Sequence, residues 1–247
     1  LPDGAPASHP RPPSDNRNPM MQMNAEGEWL EDVPGRPFLT CCFFTDAYLT
    51  HAEHLRTSLT QTQTPHFIKH YPSRGYWEAN TRIKPEFLLA CLQRFPDRDI
   101  AYLDADSIVH APLELFFNFP GDLGVFVSPP NSRLSHRYLT GTLYLRNTAA
   151  VRSFVQDWID AQNGMVLGVD QDSFAAAIER NPALVVTPLP ESYVKIFDRG
   201  DTAPVIEHFQ ASRRHVKLQR ALKKGRNTLL AALAIAGAIW IAQHWAD

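Results

Sequence analysis

The apolar run Ile100-Ala101-Tyr102-Leu103, followed at once by Asp104-Ala105-Asp106, constrains this chain more than any other feature. A short continuous apolar run reads as a buried strand. Ending it in two carboxylates at i and i+2 creates a hard, acidic site at the strand's carboxyl edge. Open α/β sheets bind their ligands at that edge. Oxygen ligands of this kind suit Mg²⁺ or Mn²⁺, ions that commonly bridge phosphate oxygens. The pattern therefore points to an enzyme that handles a diphosphate-bearing substrate through a divalent metal. The same residues would also serve as an ordinary turn or helix cap, so support must come from elsewhere in the chain.

Strand-like and helix-like segments alternate around this run. Phe38 to Thr45 and His66 to His70 read as strands. Between them, residues 47 to 60 carry Leu49, Ala52, Leu55 and Leu59 at helical spacing. Pro85 to Phe95 predicts a helix, with proline in its first turn and Phe87, Leu88, Cys91, Leu92 and Phe95 on its core face. Leu123 to Val127 and Thr142 to Arg146 read as further strands, and Thr148 to Gln162 as a helix. Asp170 to Arg180 is a helix with an acidic first turn, stopped before Asn181-Pro182. Leu184 to Thr187, Val194 to Phe197 and Val205 to Phe209 are short late strands. Such alternation predicts an α/β sheet flanked by helices, with right-handed crossovers.

A net charge of −2 excludes a global basic field of the kind that nucleic-acid binding uses. Cys41, Cys42 and Cys91 are too few for a disulfide framework, and no zinc-ligand spacing occurs. Cys41 and Cys42 are neighbours in a strand, so they point to opposite faces as small buried hydrophobes.

The two ends differ from the middle. Residues 1–36 are rich in Pro, Asn, Ser and Asp and read as a disordered leader, which starts the folded domain at 37. Residues 37–217 form that domain. Residues 218–247 form a basic, then apolar, C-terminal helix. Arg213, Arg214, Lys217, Arg220, Lys223, Lys224 and Arg226 precede the wholly apolar stretch Leu229 to Ala242, with Trp240 and Trp245 near its end. That stretch is shorter than the roughly 20 residues a spanning helix needs. It suits either a membrane surface or packing on the domain or a partner. The expected location is cytoplasmic, peripheral to a membrane or anchored in one through this segment.

Five motifs occur in a fixed order: Lys84-Pro85-Glu86-Phe87, Tyr102-Leu103-Asp104-Ala105-Asp106-Ser107, Gly141-Thr142-Leu143-Tyr144-Leu145-Arg146-Asn147, Asp170-Gln171-Asp172, and His208-Phe209-Gln210-Ala211-Ser212-Arg213. In that order they resemble the GT-A nucleotide-sugar glycosyltransferases over about residues 38 to 217. They are most similar to the retaining, family 8-like enzymes of the glycogenin and bacterial galactosyltransferase type. The resemblance implies a GT-A fold, a Rossmann-like mixed sheet flanked by helices. It also implies a nucleotide-diphosphate sugar as donor and Mn²⁺ or Mg²⁺ as cofactor.

Residue by residue, the resemblance makes Asp106 a direct metal ligand and Asp104 a ligand of the metal or of the ribose hydroxyls. His208 becomes the third protein ligand; its alternative is a structural histidine after a strand. Lys84 and nearby Arg82 are candidates for the diphosphate or donor sugar, the alternative being a solvated basic pair at a helix start. Arg213, Arg214 and Lys217 would close over the phosphates. The glycogenin-like pattern His-x-x-Gly-x-x-Lys-Pro-Trp is broken here by Ala211 and Arg214, and Pro-Trp is absent. Thr45 and Asp46 fall where base and ribose bind, with Tyr48 stacking on the base; a helix cap by Thr45 or Asp46 is the alternative. Gly141 permits close backbone approach to the donor sugar, or simply starts a strand. Asp170, Gln171 and Asp172 would approach the anomeric carbon and the acceptor, or else cap a helix.

The acceptor expected is a glycan, a lipid, a protein or a small molecule, with nucleic acid the least expected. Two other readings compete. A haloacid-dehalogenase-like phosphatase would use Asp104 as nucleophile, although its motif normally opens the domain. A non-catalytic, membrane-tethered sugar-binding protein would need none of the acidic set.

Overall fold

The computed structural model describes residues 23–130, 132, 136–164 and 170–210. Its strands are β1 (Glu28–Glu31), β2 (Phe38–Phe44), β3 (His66–His70), β4 (Asp99–Leu103), β5 (Ser107–Val109), β6 (Leu123–Val127), β7 (Tyr138–Leu145), β8 (Val186–Pro188), β9 (Lys195–Ile196) and β10 (Ile206–His208). Its helices are α1 (Leu49–Gln61), α2 (Trp77–Thr81), α3 (Ile83–Arg94), α4 (Ala149–Asn163) and α5 (Asp170–Arg180).

The main sheet has the order β1-β3-β2-β4-β7-β6-β8. Strands β3, β2 and β4 run parallel, whereas β7 is antiparallel to both β4 and β6. This is the mixed α/β sheet the sequence predicts. Side-chain alternation divides the core into two layers. Leu39, Cys41, Ile100, Tyr102, Leu143 and Leu145 face α3, α4 and α5. Phe38, Cys42, Phe44, Ala101, Leu103 and Tyr144 face α1 and the Phe116 turn. Cys41 and Cys42 thus lie in opposite layers, as strand periodicity requires.

Three features depart from the sequence expectations. Glu28–Glu31, assigned to the disordered leader, is a strand paired antiparallel with β3. Glu28 accepts from Lys69 and Arg94, each at 2.8 Å, and so secures this edge strand to β3 and to the last turn of α3. The expected helix from residue 47 begins instead as a 3₁₀ turn, Asp46–Tyr48, and becomes α-helical at Leu49, which is itself exposed. Finally, β7 starts four residues before the expected Thr142, and this extension carries Thr140 and Gly141.

A second sheet, β5-β10-β9, positions the site. Strand β5 follows directly from the Asp104-Ala105-Asp106 turn. It pairs antiparallel with β10, which sets Ser107 opposite His208. The C-terminal stretch from residue 211 onward, including the expected membrane segment, lies outside the described residues. Among the described residues, no helix is long and apolar enough to cross a membrane.

Candidate active site

The carboxyl ends of β2 and β4, parallel neighbours, reach the same edge of the sheet. Thr45 follows one and Asp104 the other. The antiparallel β7 brings its first half to this edge, with Thr142 paired to Leu103. The first turns of α3 and α5 complete the surround. The result is a cavity of about 300 Å³ lined by Thr45, Tyr48, Lys84, Asp104, Asp106, Gly141, Asp170, Gln171 and His208, among others. Residues expected at one site from five separate motifs therefore do converge.

Lys84 is the buried centre of this edge. Its Nζ donates to Asp170 Oδ2 at 2.7 Å, to Asp104 Oδ1 at 3.1 Å and to the Thr140 carbonyl at 3.1 Å. Burial works against the ammonium charge, but the carboxylates of Asp104 and Asp170 prevail and hold its pKa above the ordinary lysine value. Thr140 Oγ1 donates to Asp170 Oδ2 at 2.7 Å, and Tyr102 Oη to Asp104 Oδ1 at 2.8 Å. Lys84, a candidate for the diphosphate or donor sugar, lines the cavity and joins the carboxylate of the β4 turn to the carboxylate that opens α5; it is not the solvated residue of the alternative.

Gly141 is required by close approach. A Cβ there would lie 3.1 Å from His208 Cε1, 3.2 Å from Asp104 Oδ2 and 3.3 Å from His208 Nδ1. Its carbonyl also accepts from the Asp104 amide at 2.8 Å. Gly141 thus serves as the floor on which an Asp104 oxygen and the imidazole meet, a finer role than a strand start.

The hydrogen-bond inventory assigns the state of His208. Thr142 gives its one hydroxyl proton to the Tyr193 carbonyl at 2.9 Å, so toward His208 Nε2, 2.8 Å away, it accepts. Nε2 therefore carries the ring proton, and Nδ1 accepts from Ser107 Oγ at 3.0 Å. Burial keeps the imidazole below its ordinary pKa, against the pull of Asp104 and Asp106, which agrees with a neutral ring.

These contacts test the expected metal set. Asp104 Oδ2 and the nearby Asp106 are hard oxygen donors on the cavity wall, and they fit Mg²⁺ or Mn²⁺. His208, the expected third ligand, has both nitrogens engaged by hydroxyls. Among the described residues no group of three metal-ligating side chains is assembled. The carboxylate half of the set fits and the imidazole, so bonded, does not.

Three expected residues lie away from the cavity wall. Asp46 is exposed and pairs with His70 at 2.7 Å. Asp172 pairs with His136 at 3.3 Å on the outer side of α5. Arg82 precedes α3 and accepts, through its carbonyl, from Gln162 Nε2 at 2.8 Å. Arg213, Arg214 and Lys217 lie outside the described residues. The phosphatase alternative needs further acidic metal ligands at the end of a later strand, whereas Asp170 and Asp172 lie in the first turn of a helix.

Sequence reasoning missed Trp77, Asn80, Thr140, Thr142 and Ser107. The last three were inside quoted motifs or beside them, but their roles depend on partners far along the chain. Trp77 and Asn80 sit on the five-residue helix α2, too short to give a period.

By sequence, the chain matches no family model and none of the curated proteins. Its fold does have solved counterparts. A glycosyltransferase involved in the glycosylation of the major capsid of PBCV-1 aligns with a TM-score of 0.57 at 12% identity, covering 71% of this chain and 94% of that one. The glycosyltransferase GlyE of Streptococcus pneumoniae TIGR4 aligns with a TM-score of 0.51 at 17% identity, covering 70% of this chain and 55% of GlyE. The chain thus spans about half the length of GlyE. At these identities the likeness is one of fold, and the fold is the glycosyltransferase α/β architecture that the motif order implied.

Proposed function

We propose that this protein is a metal-dependent glycosyltransferase that uses a nucleotide-diphosphate sugar and retains the anomeric configuration. The charge balance of the cavity is the observation that carries this reading. Among the described residues, three carboxylates, Asp104, Asp106 and Asp170, stand against one ammonium, Lys84. A diphosphate entering an acidic cavity needs a counter-cation there. Asp106 and the free-facing Oδ2 of Asp104 would hold a divalent ion, which supplies positive charge to the departing diphosphate. The chain's own residues do the positioning. Lys84 fixes Asp104 and Asp170 relative to each other, and Gly141 leaves room for the donor to approach.

In the transfer, the bond between the anomeric carbon and the β-phosphate oxygen breaks, and its electron pair stays on that oxygen. The anomeric carbon bonds to an acceptor hydroxyl oxygen, and the acceptor proton passes to the departing phosphate oxygen. Asp170 and Gln171, at the opening of α5, flank this centre and stabilise the positive charge that develops on the sugar.

The test is thermal stability against a panel of nucleoside diphosphates and nucleotide sugars, with and without Mn²⁺. A ligand that binds only the native state raises the apparent stability. One nucleotide should give a Mn²⁺-dependent rise, and Asp106→Asn should remove the rise while leaving the unliganded Tm within a few degrees. A shift with phosphate and Mg²⁺ alone, and none with any nucleotide, would reject the donor assignment.

A further inference from the structure

We infer that Trp77 is a nucleobase-binding residue of the donor site, forming with Tyr48 the aromatic wall against which the nucleobase rests. This inference rests on the nucleotide-sugar reading above and extends it to a residue that no motif contains.

Both rings line the cavity, and the Trp77 indole is close enough to the Tyr48 hydroxyl to act on it. Tyr48 stands at the end of the 3₁₀ turn that follows β2. Trp77 begins α2, and both residues belong to the cavity wall. The Asp104 and Asp106 carboxylates are near enough to Tyr48 to act on its phenol. A nucleoside diphosphate with its phosphates at those carboxylates would therefore bring its base to this wall. Stacking suits the task, because every base has a π-face.

The support of α2 fits a ligand-facing rather than a core-filling role. Ala79 is the one buried residue in this helix. The segment is held by side-chain bonds instead. Asn80 Oδ1 accepts from the Arg74 amide at 2.7 Å, and Arg74 pairs with Glu86 on α3. Trp77 is thus placed by a polar frame, with its ring half-buried at the cavity wall.

The experiment titrates the full chain with UDP, GDP and ADP, each with Mn²⁺, and separately with Mn²⁺-pyrophosphate. Trp77→Ala should weaken the preferred nucleoside diphosphate by about tenfold or more, the scale of one base–aromatic stack. It should leave pyrophosphate affinity within about twofold. Trp77→Leu, which keeps apolar volume without a π-face, should show the same split and covers the case in which the alanine variant fails to fold. Trp77→Phe should keep most of the nucleotide affinity and lose the tryptophan fluorescence change on nucleotide binding. Equal weakening of nucleotide and pyrophosphate would make Trp77 a structural strut and overturn the inference. Unchanged nucleotide affinity in the alanine and leucine variants would overturn it as well, with the donor reading intact. A wild-type chain that binds pyrophosphate but no nucleotide would overturn both.

Discussion

The two ends of α3 carry ion clusters of opposite make-up. At its last turn Arg94 joins Lys69 around a single carboxylate, Glu28. At its first turn Lys84 joins a pair of carboxylates, Asp104 and Asp170. The Glu28 cluster is open: the Arg94 and Lys69 side chains are 46% and 31% exposed, so water shares in their solvation. In the Lys84 cluster the cation is the closed-in member: Lys84 is at 6% and Asp170 at 5%, while Asp104, at 36%, opens to the cavity. The open cluster fastens an edge strand and leaves an excess of positive charge that water can carry. The closed cluster leaves an excess of negative charge directed at a cavity, where solvation is poorer. Charge imbalance is therefore tolerated as a staple in one place and displayed to a ligand in the other.

Removing the single cation of the closed cluster should have the largest effect. Lys84→Met leaves the buried Asp170 and the half-buried Asp104 without their partner; breaking a buried pair costs about 3–5 kcal/mol. Urea denaturation should report that loss, and transfer activity should fall to background. The double variant Lys84→Met, Asp170→Asn removes one excess charge and should recover a substantial part of the stability. Activity should stay absent in it, because Asp104 and the start of α5 are no longer held together. If the double variant is no more stable than the single one, the two carboxylates are not the source of the cost.

A smaller effect should follow from crowding the same region without touching its charge. Gly141→Ala adds a methyl 3.1–3.3 Å from His208 and Asp104 Oδ2. Overpacking of this kind costs about 1–3 kcal/mol. Here it also pushes apart the two groups that meet over Gly141. Mn²⁺ affinity should drop more than in Glu28→Gln, which acts at the other end of α3. Equal Mn²⁺ affinity in the two variants would separate Gly141 from the metal region.

This contrast also shows what the sequence could reveal. Strand β4 was legible from its short apolar run, and its acidic turn gained meaning only from the motifs that accompany it in order. The helix α3 was legible from the spacing of Phe87, Leu88, Cys91 and Leu92. The same spacing, extended backward, puts position 84 on that buried face. A lysine there demands carboxylate partners, a signal the spacing already carried. Arg146 and Asn147, quoted within a motif, prove structural: Arg146 donates to the Phe119 carbonyl, and Asn147 Nδ2 donates to carbonyls at the end of α3 and beyond it. His208 was expected at this site, but its hydrogen bonds were not legible, because the ladder that sets it opposite Ser107 joins residues about a hundred positions apart. The strand β1 was masked by its surroundings: four residues beside a Pro-rich stretch carry no period, and their reason to be a strand lies in β3.

The open cluster should give the smallest effects, and its pH response separates it from the closed one. Hydrogen bonds from Arg94, then Lys69, outweigh burial and lower the Glu28 pKa from 4.5 to about 2. As pH falls, the unfolded chain takes up this proton first. The stability Glu28 contributes is therefore complete above about pH 4.5 and is lost progressively as pH approaches 2. The charges that face Glu28 are Lys69 from β3 and Arg94 from α3, with Glu26 acting on Arg94, and neither cation titrates in that window. Glu28→Gln should cost about 2 kcal/mol at neutral pH, the scale of charge-assisted hydrogen bonds. It should also flatten the stability profile between pH 4.5 and 2 relative to wild type. Nucleotide and Mn²⁺ affinities at neutral pH should be unchanged, since Glu28 is at the far end of α3 from the cavity. Parallel acid profiles in variant and wild type would show that the Arg94–Lys69 pair does not hold Glu28 ionised. The acid sensitivity of the fold would then have to be assigned to the other carboxylates.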